Sequence, residues 1–98
     1  MMILESRLEV WHVEVTSIGS HACSPELIPF GVVFGLVDEE SYAFFCVGSV
    51  VEEVRRSIGN VIACLVSIET RTDHDRASRG YKPFTFYRVT HVLDSKVA

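Results

Sequence analysis

Apolar and polar positions divide this chain into five stretches of strand length and one of helical spacing. The first stretch, residues 4–18, is long for one strand, and its apolar positions change parity. Leu8 and Val10 fall on even numbers, whereas Trp11, Val13 and Val15 fall on odd ones. Side chains alternate faces with period two, so the switch predicts a bulge or sharp coil near Val10. Residues 19–29, with Ser20, Ser24, Pro25 and Pro29, read as an irregular loop. Residues 30–37 form the second strand, with Phe30, Val32, Phe34 and Leu36 opposing Gly31, Val33, Gly35 and Val37. Large against small predicts a strand that curves or that another backbone approaches closely. A polar turn at 38–41 then leads into a third strand at 42–47, and the pair reads as a hairpin.

The helical signal follows at once. Ser49 with Glu52 three residues later has the form of a capping box, in which hydroxyl and carboxylate satisfy each other's backbone amides. Val50, Val51, Val54 and Ile58 make an apolar stripe at helical spacing. Glu52 and Arg56 stand in the favourable i,i+4 order, and Gly59 supplies a left-handed stop. Residues 61–70 form the fourth strand, with Ile62, Cys64, Val66 and Ile68 facing one way. A polar loop at 71–83 separates it from a fifth strand at 84–93.

The predicted fold class is therefore α+β, mainly β: a small five-stranded barrel-like sheet with one short helix, in the order β-β-β-α-β-β. By element order this resembles an OB-type barrel, which places its helix between strands three and four. An SH3-like barrel or an open sheet with one covering helix fits the same order. The 98 residues suffice for a single domain, 1–98.

Composition narrows the function. Nine basic against thirteen acidic residues give −4, which argues against a generally basic nucleic-acid binder. Charge is uneven, however. Residues 71–82 carry Arg71, Arg76, Arg79 and Lys82 against Asp73 and Asp75, a net +2, and the rest of the chain carries −6. Arginines fork onto phosphates, and Tyr81, Phe84, Phe86 or Tyr87 offer rings for bases, so Arg71, Arg76, Arg79, Tyr81 and Lys82 are the candidate ligand-binding residues. The simpler use of those charges is to keep a loop in water.

Catalytic and metal chemistry find little support. No nucleophile elbow, phosphate loop, dinucleotide fingerprint or zinc-protease motif is present, so no enzyme is expected and no cofactor is called for. Asp73-His74-Asp75 and the His21, Cys23 pair lack metal-ligand spacing, so no metal is expected. Cys23 has no base that sequence places beside it. His12 and His91 read as core or half-buried strand residues, and Trp11 as core. Asp38, Glu39 and Glu40 read as a solvated turn.

Cys23, Cys46 and Cys64 are odd in number and widely spaced, which predicts free thiols and a reducing, cytoplasmic setting. No apolar stretch reaches the roughly twenty residues a membrane helix needs, and the start of the chain is too charged for a signal peptide. Several strands are apolar on both sides, at 32–37, 43–47 and 61–66, more than one short helix can cover. Residues such as Val33 or Val37 would then offer a protein-binding face. The leading expectation is a non-catalytic protein–protein module, a homodimer, adaptor or inhibitor. The alternative is a binder of single-stranded nucleic acid or a phosphorylated small ligand through residues 71–82.

Overall fold

The computed structural model describes residues 2–21 and 30–96. Their elements are β1 (Met2–His21), β2 (Phe30–Val37), β3 (Glu40–Val47), α1 (Ser49–Arg55), β4 (Val61–Thr72), α2 (His74–Ser78) and β5 (Phe84–Lys96). The strands close into a barrel in the order β1-β2-β3-β5-β4. Every seam is antiparallel except that between β3 and β5, which is parallel and joined through the Phe45–Arg88 pair. The expected small five-stranded α+β barrel is thus observed. It has two short helices rather than one, because α2 forms inside the predicted 71–83 loop.

β1 closes the barrel by serving two partners. Its first part pairs with β4 from Met2↔Thr72 to Glu14↔Val61, and its last part pairs with β2 from Glu14↔Leu36 to His21↔Phe30. The register breaks lie at Ile3/Glu5 and Val15/Ser17, not near Val10. The parity switch has a different cause. Trp11, Val13 and Val15 point inward, while Leu8 and Val10 stay on the outer face at 62% and 56% exposure. Exposed apolar residues on one face mimic the signature of a bulge. The 20-residue β1 and 12-residue β4 also overrun the barrel, stretching the molecule to 47 × 35 × 19 Å.

The core is filled mainly by valines. Val13, Val15, Val33, Phe44, Cys46, Ile62, Cys64, Val66, Ile68 and Val89 line the interior, and Val51 and Val54 of α1 pack onto them. Burial of such a side chain contributes roughly 1.5–3 kcal/mol. The inward set on β4 is the one its alternation predicts. On β2 it is the small side that faces inward: Gly31, Val33 and Gly35 are buried, whereas Phe34 is 46% exposed. Val33 is thus no docking residue, and Val37 is half-buried. Register shifts at Ala63/Cys64 and Leu65/Val66 let β5 turn both Val89 and Val92 toward the core.

α1 begins at Ser49, one residue earlier than the capping box requires. Gly48 takes the cap position at φ +69, no side chain caps the helix, and Val51 N–H bonds back to the Gly48 carbonyl. The stripe holds at Val51 and Val54, but Ile58 is 45% exposed. Glu52 pairs with Arg55 at 3.7 Å rather than with Arg56, whose Nε donates to the Glu52 carbonyl. Gly59, at φ +88, ends the turn as expected and bonds to Val15 on β1. His12 and His91 are exposed, not half-buried. No helix among the described residues is long and apolar enough to cross a membrane.

Candidate functional site

The wide, outward-facing side of β2 leads to the site. Phe30 on β2 lies against Phe45 on β3 with ring centroids 5.9 Å apart. Phe45 lies 5.7 Å from Phe86 on β5, and Phe86 lies 4.7 Å from Phe84. Strand alternation puts Phe84 and Phe86 on one face, and the β3–β5 seam brings Phe45 beside them. The four rings form a continuous row across the barrel's outer surface.

A groove of about 200 Å³ runs along Phe30, Phe45 and Phe86 of this row, lined also by Val47, Glu69, Arg71 and Arg88. Its aromatic floor is half-buried rather than closed off. Arg71 on β4 places its guanidinium 5.0 Å from the centre of the Phe86 ring and is held there by Glu69. Arg88 stands exposed on the groove wall and makes no ion pair among the described residues.

The 71–82 segment extends one end of the row. Asp73 caps α2, its carboxylate accepting from Arg76 N–H at 2.7 Å, so it is engaged as a cap. This cap turns the Arg76 side chain back over β5, 4.6 Å from the Phe84 ring and 5.6 Å from the Tyr81 ring. The same guanidinium donates to the Lys82 carbonyl at 3.1 Å. Arg79, Tyr81 and Lys82 are exposed beyond it.

The candidate residues therefore divide. Arg71 and Arg76 join the aromatic row, and Tyr81 continues it through Arg76. Lys82 meets its end through the carbonyl that accepts from Arg76, and Arg79 lines a cleft there with Arg76, Tyr81 and Phe84. Phe30, Phe45, Val47 and Arg88 also line the groove and were not among the candidates. Their signal lay in the large outer side of the second strand, but no local spacing reveals that β3 and β5 become neighbours. Tyr87 turns inward instead, packing with Trp11, Tyr42 and Phe44 at 5.2–6.1 Å between ring centres.

Other chemistry is sparse. Among the described residues no group of three His, Cys, Asp or Glu side chains is placed to hold a metal ion. Cys46 and Cys64 are buried and unbridged, and burial pushes both thiols up to about 11. Cys23 lies outside the described residues. No known protein family, no characterised protein and no solved structure matches the chain.

Proposed function

We propose that this chain is a non-catalytic binding module that holds a short single-stranded nucleic acid across the outer face of β2, β3 and β5. The observation that carries the reading is the row Phe30, Phe45, Phe86 and Phe84, stepped at 4.7–5.9 Å and ending under Arg76. A base stacked on an aromatic ring gains about 1–3 kcal/mol whatever its identity. The half-buried Arg76 guanidinium over the same ring gains about 0.5–2 kcal/mol. A base that takes the face of Phe84 displaces Arg76 from it, and the freed guanidinium turns to phosphate. Arg79, Lys82 and Arg88 supply further charge along the path.

The strand order supports the same reading. In OB-type barrels the face of strands two and three and the connection between strands four and five hold oligonucleotides. The acidic balance of the whole chain suits a few phosphates and not a long duplex. A cytoplasmic setting, where thiols stay reduced, suits Cys46 and Cys64. Self-association is a second reading, favoured by Leu4, Leu8 and Val10, each more than half exposed on β1.

The test is a fluorescence-anisotropy titration of labelled single-stranded DNA and RNA at several salt concentrations, with the Arg76→Ala, Arg79→Ala, Lys82→Ala triple variant alongside. Three lost phosphate contacts reduce the slope of log affinity against log salt by about 2. No binding at tens of micromolar, or an unchanged slope in the variant, overturns the reading.

A further inference from the structure

Among the described residues, the pairing of β1 leaves one edge of a stretch of its backbone unpaired. β2 meets β1 only from Glu14 onward, because the β2–β3 hairpin ends at the Val37↔Glu40 pair. Residues 2–13 of β1 bond to β4 along one edge and, among the described residues, have no strand on the other. An open edge is a template for another strand, and proteins normally guard it with lysines, prolines or a covering element. Residues 2–13 contain neither lysine nor proline. The edge carries the charges of Glu5, Arg7 and Glu9 together with exposed apolar side chains: Leu4 and Leu8 are 54% and 62% exposed.

The charges on this edge are self-complementary in one antiparallel register. With Ser6 on a two-fold axis, Glu5 faces Arg7 of the second copy and Arg7 faces its Glu5. Leu4 and Leu8 face each other's counterparts in the same arrangement. Centring on Arg7 would set arginine against arginine and Glu5 against Glu9. Centring on Leu8 would draw in residues 9–12, which share a cleft with Val37, Asp38 and Glu40 of the hairpin. Only the register on Ser6 keeps opposite charges together and stays clear of the hairpin.

We propose that the unpaired edge of β1 binds a second copy of this chain, adding strand to strand across residues 4–8 to join two barrels into one symmetric sheet. Isologous two-fold contact is the commonest route to a soluble dimer, and backbone ladders supply its affinity while the side-chain pairs set its register. Within one chain Arg7 already bridges Glu5 and Glu9. In the dimer it keeps Glu9 and exchanges its own Glu5 for that of the second copy.

Sedimentation velocity on the full chain, from micromolar to millimolar, tests this. The dissociation constant should rise at least about tenfold in Glu5→Arg and in Arg7→Glu, and return toward wild type in the double swap. Restoration is specific to this register, because the register on Leu8 pairs Arg7 with Glu9 and is not rescued by changing Glu5. Circular dichroism establishes that each variant is folded, and His91→Ala, an exposed position on β5 away from the edge, provides a control that leaves the dimer intact. A wild-type chain that stays monomeric throughout, or a dimer indifferent to both single swaps, overturns the proposal. Either result leaves the nucleic-acid reading standing, since that reading is measured by anisotropy at another face.

Discussion

Phe45 on β3 and Phe86 on β5 stand 5.7 Å apart across the parallel seam of the barrel, although forty-one positions separate them in sequence. This contact turns two separate pairs of rings, Phe30 with Phe45 and Phe84 with Phe86, into one row. If the row is a stacking platform, Phe45→Ala and Phe86→Ala should each weaken single-stranded binding by about 1–3 kcal/mol. Tyr87→Phe, which alters a ring facing the interior, should leave affinity unchanged. Anisotropy titrations of the three variants check this, and equal losses in all three would refute the platform.

Gly35 is required by a close approach. A Cβ built there would lie 2.5 Å from Val13 Cγ1 and 2.9 Å from the Glu14 carbonyl oxygen. The backbone oxygen cannot step aside as a flexible side chain would. Gly35→Ala should therefore destabilise the barrel by about 2 kcal/mol and lower Tm by roughly 10 °C. Thermal denaturation followed by circular dichroism provides the measurement. A Tm within a degree or so of wild type would show that the β1–β2 seam can open at this point.

The β2–β3 hairpin turns on Asp38 and Glu39, both in the left-handed region at φ +50 and +69. A two-residue turn with both φ values positive is best served by Asn-Gly, and a side chain such as glutamate pays about 1–2 kcal/mol there. Replacing the pair by Asn-Gly should stabilise the protein by about 1 kcal/mol, seen as a higher urea midpoint at constant slope. No gain would mean that the carboxylates contribute something the glycine cannot replace.

Burial gives Cys46 and Cys64 a dependence on alkaline pH. Desolvation raises both thiols from an ordinary value of 9.0 to about 11. Between these values unfolded thiols have lost protons that folded ones keep, so unfolding releases protons and stability falls as pH rises. The decline should be on the order of 1 kcal/mol per thiol per pH unit across that window. Denaturation curves at successive pH values, compared with a Cys46→Ala, Cys64→Ala variant, isolate it. At neutral pH both thiols should resist alkylation until the chain unfolds.

Much of the architecture was legible because it is local. Ile62, Cys64, Val66 and Ile68 alternate, so β4 declared its inner face. Gly35 among large neighbours announced the close approach that Val13 makes. The polar turn at 38–41 allowed no economical path except a hairpin. Patterns of this kind rest on the two-residue period of a strand and are written wherever one face is buried.

Local pattern could not say which face that would be. On β2 the alternation of large and small residues left the inward side open, and Gly31, Val33 and Gly35 turn inward, because a small closed barrel has room near β1 only for small residues. Leu8 and Val10 mimicked a bulge because they lie on the outer face of a strand that overruns the barrel. Their exposure depends on where β2 stops, which is a property of the assembly. The site divides in the same way. Arg71, Arg76 and Tyr81 could be picked out by charge and composition in one segment. Phe30, Phe45 and Arg88 join them only because closure sets β3 beside β5, a long-range pairing decided by the fit of the whole core and by no segment alone.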